Sequence, residues 1–203
     1  INRSEAYFTV VEGHIVYGLL GIKGLGEQAA EAIVSERGSN GPYLSFMDFL
    51  DRLDLRTVNK KAVEVLIQAG SFDLLGQFRS TLLANLERAM EYSIHRKEAT
   101  RFGQVSLFED TGVQEFAEFV FDELPDWEKK EKLQNEKDLL GFYISGHPLD
   151  AYRKAFERAS NFDVRFPDRA QKDKQYTIIG MVRTIRPYQT KSGKWMGFGT
   201  FED

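Results

Sequence analysis

Positions 19–26 read LLGIKGLG and positions 27–33 read EQAAEAI, and this stretch decides how the first part of the chain folds. Gly24 and Gly26 flank an apolar residue, so the backbone can turn tightly with positive φ and no Cβ blocks the approach of another molecule. Glu27 then begins an alanine-rich helix that can pack closely on a neighbour. The pattern predicts a helix-hairpin-helix turn.

This turn is a candidate phosphate site. A glycine turn that leads into a helix places free backbone N–H groups and the positive end of the helix dipole at one point. Such a point binds a phosphate without contacting any base. An ordinary loop with a helix cap is the alternative. A dinucleotide-binding fold is disfavoured, because its GxGxxG pattern requires glycine where residue 29 is alanine.

Composition excludes several protein classes. The chain has 203 residues, of which 42% are hydrophobic and none is cysteine, so it can form a core but no disulfide and no cysteine zinc site. The sequence has no apolar run of membrane-spanning length and no signal-peptide leader, so we expect a cytoplasmic protein without a membrane partner. The chain starts at Ile1 and stops at Asp203 within an apolar pattern, which we interpret as an excised piece of a longer protein.

The net charge of −4 conceals a segregation of charge along the chain. Residues 111–150 have 4 Lys and Arg against 10 Asp and Glu, whereas residues 151–203 have 11 against 6. Opposite fields on neighbouring segments suit a chain with one face toward phosphate and another toward protein or solvent. The overall charge therefore does not exclude nucleic acid as a partner.

Periodicity and capping residues predict a mainly α-helical chain with a small β portion, an α+β fold class. Ser45 and Asn59 are expected N-caps, and Gly70 is an expected helix end. The predicted helices cover residues 27–37, 46–53, 60–69, 79–101, 127–140 and 150–159, and the predicted strands cover residues 7–11, 15–19, 176–185 and 195–201. The acidic and irregular residues 104–124 are typical of a linker.

Residues 54–61 (DLRTVNKK) join a second pair of helices, at the position where a second hairpin would pair with the first. In a tandem pair, each turn can contact one strand of a duplex. The segment is rich in residue types that bind phosphate, namely Arg56, Thr57, Asn59, Lys60 and Lys61. Cations in the first turn of a helix oppose its dipole, which favours a functional reason for the two lysines over simple solvation.

Basic and aromatic residues alternate in the last segment, which is typical of a single-strand-binding β surface where bases stack on rings. The candidates are Arg183, Tyr188, Lys191, Lys194, Trp195 and Phe198. The alternative is a twisted hairpin whose aromatic side chains lie in a core. Two strands do not distinguish these, because a five-stranded barrel requires about three more.

Residues 104–108 (QVSLF) lie in the predicted linker and resemble a clamp-binding peptide. Leu107 and Phe108 would fill an apolar pocket while Gln104 forms a hydrogen bond at its rim. The alternative is that both apolar side chains pack on the end of the preceding helix.

Four blocks together resemble the region of the bacterial replicative DNA polymerase III alpha subunit that lies beyond the palm, fingers and thumb. They are residues 17–26 (YGLLGIKGLG), 59–73 (NKKAVEVLIQAGSFD), 104–108 (QVSLF) and 140–149 (LGFYISGHPL). The resemblance covers nearly the whole chain and implies four regions. These are a tandem helix-hairpin-helix DNA-binding domain (1–103), a linker with the clamp-binding peptide (104–124), a helical connector (125–169) and the first strands of an incomplete OB domain (170–203).

The resemblance also implies roles for particular residues. At the first hairpin, it implies that Lys23, Gly24 and Gly26 bind phosphate. At the second hairpin it implies the same role for residues 56–61, although the glycines of the first hairpin are missing there. Clamp binding falls to Gln104, Ser106, Leu107 and Phe108. We assign His147 of the connector a structural role, because no partner histidine or carboxylate lies at ligand spacing on a helix.

The catalytic aspartates of the family lie upstream of this region, so the chain is expected to position DNA rather than polymerise it. The resemblance implies no cofactor or metal site here, whereas Mg²⁺ belongs to the parent DNA-directed DNA polymerase, a nucleotidyltransferase. The implied partners are primer-template duplex, the sliding clamp (beta subunit), single-stranded template and other replisome subunits. The implied location is the nucleoid-associated replisome in the bacterial cytoplasm.

Two other function classes remain open. A helix-hairpin-helix DNA-repair enzyme such as a glycosylase places a catalytic acid shortly after the hairpin, and Asp48 and Asp51 lie in that range. A protein-only interaction scaffold is the other class. Residues 1–75 favour it, since they have 7 cationic against 10 anionic side chains.

Overall fold

The computed structural model describes residues 1–101 and 118–202. It confirms the mainly helical α+β class. The chain forms two compact units, Ile1–Ser145 and Gly146–Asp203. The division falls inside the predicted helical connector.

The first unit begins with an antiparallel hairpin of strands β1 (Thr9–Val11) and β2 (His14–Val16), in which Val10 lies opposite Ile15. A 3₁₀ turn at Leu19–Gly21 leads toward the first helix. The helices of this unit are α1 (Glu27–Asn40), α2 (Phe46–Arg52), α3 (Lys60–Gln68), α4 (Arg79–Arg101) and α5 (Lys129–Leu140). Within the described ranges, no helix combines the length and apolar character that a membrane crossing requires.

The predicted caps are confirmed. The Ser45 hydroxyl accepts the Asp48 N–H at 3.0 Å at the start of α2, and the Asn59 side chain accepts the Ala62 N–H at 3.1 Å at the start of α3. Each side chain satisfies an N–H group that the helix itself leaves without a partner.

Several predicted boundaries are wrong by a few residues. Helix α1 passes through Gly38 and ends at Asn40, because the chain leaves the helix only at Gly41, where φ is +83°. The predicted strand 15–19 ends at Val16. Helix α5 begins two residues later than predicted, at Lys129.

An aromatic cluster forms the centre of the first unit. Phe46 and Phe49 on α2 both pack edge-to-face against Phe72, with ring centroids 5.1 and 4.9 Å apart, and Tyr43 packs on Phe49 at 5.0 Å. All four side chains are fully buried. Edge-to-face packing adds about 0.5–1.5 kcal/mol per pair beyond burial. The cluster therefore fixes α2 against the end of α3.

The described part of the predicted linker, residues 118–124, is not a free connector. Asn85 on α4 bonds both backbone groups of Asp122, with its amide nitrogen 3.0 Å from the Asp122 carbonyl and its carbonyl 3.0 Å from the Asp122 N–H. Thr81 pairs with the backbone of Leu124 in the same way. Two buried polar side chains of a helix thus replace the partner strand that this extended segment lacks.

A buried ion pair connects three segments of the first unit. The Arg79 guanidinium at the start of α4 lies 3.0 Å from the Glu136 carboxylate on α5 and also bonds Asp73 at 2.7 and 2.9 Å. Arg79 is 4% exposed and Glu136 is 1% exposed. The other oxygen of Glu136 accepts the N–H groups of Ile144 and Ser145 at 2.8 and 2.9 Å. Every oxygen of this buried carboxylate therefore has a partner, as burial of a charge requires.

The second unit begins with a 3₁₀ turn at Pro148–Tyr152, followed by α6 (Arg153–Ala159). His147 caps that turn: its Nδ1 accepts the Leu149 N–H at 3.3 Å, and Asp150 accepts the His147 N–H at 2.8 Å. This is the structural role expected for His147.

Strands β3 (Met181–Gln189) and β4 (Trp195–Glu202) form the one sheet within the described part of the second unit. The register shifts between Val182 and Thr184, which leaves Arg183 as a bulge. The predicted strand 176–185 is wrong at both ends, since β3 starts and ends later along the chain. An OB domain in this unit stays a prediction.

We expect the Glu136→Gln variant to lose about 3 kcal/mol of unfolding free energy, because it leaves Arg79 without its buried counter-charge and places an amide where two N–H groups need an acceptor. Urea denaturation at neutral pH measures the loss. Glu131→Gln, on an exposed part of the same helix, should change stability by less than about 1 kcal/mol. Equal losses in the two variants would contradict this account.

The same carboxylate should make stability depend on pH. Burial by itself raises the pKa of Glu136, but the N–H groups of Ser145 and Ile144 and the Arg79 guanidinium hold the pKa below its ordinary value. Its contribution is therefore complete above the unfolded-state pKa of about 4.3 and disappears as pH falls through the lower folded-state pKa. Acid denaturation of Glu136→Gln should show a smaller loss over that range.

Candidate nucleic-acid interface

The first turn, defined here as residues 22–26, has a buried anchor and an exposed rim. Ile22 and Leu25 are 4% and 7% exposed, whereas Lys23, Gly24 and Gly26 are exposed. Gly24 has φ of +92°, which side-chain-bearing residues rarely adopt. The turn therefore presents two glycines and one lysine to solvent in the predicted arrangement.

Gly26 is not required by the fold. It is the N-cap residue of α1 with an ordinary φ of −77°, and a Cβ built on it meets no atom within 4 Å. No side chain forms a cap hydrogen bond there. The start of α1 is therefore an open backbone surface with the positive end of a helix dipole behind it.

The second turn, defined as residues 55–59, repeats the first. Val58 is fully buried in the position of Leu25, and Asn59 is the N-cap of α3 as Gly26 is of α1. The cap backbones match closely, with φ −77° and ψ 152° for Gly26 and φ −73° and ψ 171° for Asn59. Each cap carbonyl accepts the N–H four residues later, at 3.1 Å in α1 and 3.0 Å in α3.

The missing glycines of the second turn have a structural explanation. Thr57 occupies the position of Gly24, yet the positive-φ residues other than glycine in the described ranges are Glu12 and Asp173. The second turn is thus formed without a left-handed residue, and Asn59 supplies a side-chain cap where Gly26 has none. The two turns therefore share the geometry of the N-cap but differ in the backbone before it and in what they expose.

The predicted cations of the two turns differ in their partners. Arg56 is 92% exposed and pairs with Asp54 at 3.0 Å, which lowers the pKa of that carboxyl. Lys60 lies 3.3 Å from Glu87. Lys23 and Lys61 are exposed and form no ion pair with any described residue. A phosphate that bound Arg56 or Lys60 would therefore compete with the carboxylate of Asp54 or Glu87, whereas Lys23 and Lys61 have no such competitor among the described residues.

Lys97 supports the second turn from a distant helix. Its ammonium, on α4, donates to the carbonyls of Leu50 and Leu53 at 2.7 and 2.6 Å, where α2 ends and the chain enters the second turn. Burial lowers the pKa of Lys97, although Asp51 and Asp54 oppose the shift. A distant lysine thus holds the entry to the second turn, and no spacing in the sequence indicates it.

The predicted single-strand-binding residues do not share one surface. Tyr188 and Phe198 lie on the same face of the β3–β4 hairpin, with ring centroids 6.1 Å apart. Trp195 lies opposite Gln189 and therefore points to the other face, because adjacent residues of a strand alternate. Arg183 is a bulge residue paired with Glu202. Lys191 and Lys194 are exposed in the connecting turn.

The carboxylates considered for a repair enzyme have structural partners. Asp48 accepts the Leu44 N–H at 2.9 Å and pairs with Arg52 at 3.0 Å, and Asp51 pairs with Arg96. Among the residues that the structure describes, no group of three or more His, Asp and Glu could hold a metal ion. The residues predicted to bind the clamp, Gln104, Ser106, Leu107 and Phe108, lie outside the described residues.

Comparison with known proteins gives two results. Residues 1–82 match a family described as helix-hairpin-helix motif. Over its whole length the chain is similar to DNA polymerase III subunit alpha of Treponema pallidum (48% identical), of Borreliella burgdorferi (40%) and of Thermus aquaticus (36%). The matches cover 100% of this chain but only 17%, 18% and 16% of those proteins, so the chain spans less than a fifth of their length.

The two caps should respond differently to alanine. We expect Asn59→Ala to lower the unfolding free energy by about 1 kcal/mol, because the Ala62 N–H loses its acceptor. Gly26→Ala should change it by less than about 0.5 kcal/mol, since φ is ordinary and the added methyl group meets no atom. Chemical denaturation tests both variants. A large loss in Gly26→Ala would show that the fold itself requires this glycine.

Proposed function

We propose that this chain, which belongs to the DNA polymerase III alpha-subunit family, holds primer-template duplex through phosphate contacts at its two turns. The observation that carries the proposal is the repeated N-cap geometry of Gly26 and Asn59, each preceded by an exposed basic residue three positions earlier, Lys23 and Arg56. Two equivalent helix starts on one compact unit suit the two strands of a duplex.

The two turns would bind phosphate by different means. The first turn offers backbone N–H groups and a helix dipole, with Gly26 open to close approach. The fold does not require glycine at residue 26. We therefore assign Gly26 a binding role, in which the missing side chain lets a phosphate come close to the backbone. The second turn offers side-chain charge from Arg56, Lys60 and Lys61. Contacts of both kinds are independent of base sequence.

We further propose that residues 104–108 bind the sliding clamp. They follow α4, whose Lys97 bonds the carbonyls of Leu50 and Leu53 at the end of α2, just before the second turn. A tether to a ring around DNA raises the local concentration of the duplex-binding surface, so that individually weak phosphate contacts become effective together. Retention on DNA is then the shared result of the turns and the tether.

The second unit would contact single-stranded template. Its sequence has an excess of Lys and Arg, and one face of its hairpin exposes Tyr188 and Phe198 at 49% and 60%, while Trp195 is 72% exposed on the other face. Exposed rings beside cations provide stacking and charge for a flexible strand. We assign the polymerase chemistry, its Mg²⁺ and the contacts with other replisome subunits in the bacterial cytoplasm to the whole alpha subunit.

Duplex binding should depend on salt through the second turn. Replacing Lys60 and Lys61 by Met should make the slope of log K against log salt less negative by about 0.9 for each phosphate that the variant no longer binds. Fluorescence anisotropy with a labelled duplex over a salt series measures this slope.

Lys129→Met with Lys130→Met is the matched control, because it removes the same charge from the same position, the first turn of a helix, away from both turns. Its slope should equal that of the unmodified chain. If both double variants shifted equally, net charge rather than the second turn would explain binding. Duplex binding that did not vary with salt would favour the protein-only scaffold.

For the clamp peptide, Leu107→Ala combined with Phe108→Ala should abolish binding to the cognate sliding clamp and leave duplex affinity unchanged. The two anchors supply the apolar contact, so their removal eliminates most of the binding energy. Val105→Ala in the same peptide is the control and should retain clamp binding. Surface plasmon resonance on immobilised clamp distinguishes the variants, and unchanged binding by the double variant would remove the assignment.

A further inference from the structure

The first turn is attached to a helix that lies more than one hundred positions later in the sequence. The Lys23 N–H donates to the Leu139 carbonyl at 2.9 Å. The Tyr17 hydroxyl lies 3.1 Å from the Leu140 carbonyl and 2.7 Å from the Gly21 carbonyl, so it connects the residue just before the first turn to the end of α5.

The accepting carbonyls belong to the last turn of α5. The final four carbonyls of a helix have no partner within it. The Gly141 N–H satisfies the Lys137 carbonyl at 3.0 Å, and the two groups just described occupy those of Leu139 and Leu140. Three of the last four carbonyls of α5 therefore have partners, one of them from the first turn and one from Tyr17.

Packing around Tyr17 shows that its position is specific. Its ring lies edge-on between Phe8 and Phe142, with centroids 4.6 and 5.4 Å away. A Cβ on Gly21 would lie 2.8 Å from the Tyr17 hydroxyl, which is closer than Cβ atoms come. Gly21 therefore makes room for this tyrosine rather than for a special backbone conformation.

Helix α5 is itself fixed by contacts of its buried glutamate. Glu136, one turn before Leu139 and Leu140, pairs with Arg79 and accepts the N–H groups of Ile144 and Ser145. The loop that follows α5 is therefore folded back onto the helix that holds the first turn.

We infer that Tyr17 and the C-terminal end of α5 form a brace that positions the first turn for phosphate binding. Tyr17 is a positioning residue, because it bonds Gly21 beside the turn and would not contact the phosphate itself. The brace itself is inferred from the hydrogen bonds above. Its role in phosphate binding rests on the proposed function. The brace also gives a physical link between two of the blocks named in the sequence, 17–26 and 140–149, since Tyr17 contacts Leu140 and Phe142.

The test uses Tyr17→Phe, with Tyr43→Phe as the matched control. Each variant removes one hydroxyl that donates to a backbone carbonyl of the first unit, but the Tyr43 hydroxyl bonds Ile33, away from the turn, at 2.8 Å. In Tyr17→Phe, amide hydrogen exchange at Lys23 should accelerate about fivefold to tenfold, with no change in residues 55–59. Tyr43→Phe should leave exchange at Lys23 unchanged.

The second measurement is duplex binding over a salt series. Tyr17→Phe should lower affinity about fivefold and make the log K against log salt slope less negative by about 0.9, the share of one phosphate. Tyr43→Phe should change neither. Gly21→Ala, whose methyl group displaces the Tyr17 hydroxyl, should reproduce both effects of Tyr17→Phe and serves if that variant folds poorly.

Unchanged exchange at Lys23 in both Tyr17→Phe and Gly21→Ala would overturn the brace. Faster amide exchange at Lys23 together with an unchanged slope of log K against log salt would overturn the positioning role of Tyr17. If the unmodified chain bound no duplex at any salt concentration, the proposed function would fall, while the exchange data would still decide whether the brace exists.

Discussion

The first unit depends on the burial of one carboxylate. Glu136 is 1% exposed, and a charge in that position is tolerated only when its oxygens are fully paired. Its partners come from two segments: Arg79 at the start of α4, and the backbone N–H groups of Ile144 and Ser145 beyond α5. A single group thereby determines where α4 and α5 meet and how the chain continues after them. Because the Leu139 carbonyl of α5 accepts the Lys23 N–H of the first turn, the pairing of Glu136 also helps to fix the position of the proposed DNA-binding surface.

The two turns reach the same N-cap geometry from two sequences and two backbone conformations. The first uses Gly24 in a left-handed conformation and leaves its helix start uncapped, whereas the second uses Thr57 and a capping Asn59. A cap that satisfies an N–H group internally is good for stability but removes a donor from the surface. The first turn therefore keeps more backbone available for a ligand, and the second compensates with side-chain charge. An uncapped helix start is unfavourable unless a partner or water completes it.

Local features of this fold follow from the sequence, and distant ones do not. Ser45 and Asn59 are correctly predicted as caps because capping depends on residues within one helical turn. Gly38 is wrongly predicted to end α1, because a glycine within a helix costs only about 1 kcal/mol and tertiary packing can outweigh that. Trp195 is wrongly grouped with Phe198, because residues three positions apart in one strand point to opposite faces. That Tyr188 shares the face of Phe198 depends on the register between the two strands, which the sequence does not reveal.

The residues that sequence reasoning missed at the candidate site all act over long distances. Lys97 reaches the end of α2 and Tyr17 reaches the end of α5, and in both cases a side chain satisfies carbonyls that a helix leaves free. Helix ends are where partners are needed, but which distant residue supplies them depends on the tertiary fold. Both turns are thus supported by helices outside the hairpins, but in opposite directions. Lys97 of α4 donates to carbonyls before the second turn, whereas Tyr17 and Lys23 donate to the carbonyls at the end of α5. The proposed contacts with a stiff duplex require a fixed separation between the two turns, and the contacts with helices outside the hairpins help to fix it.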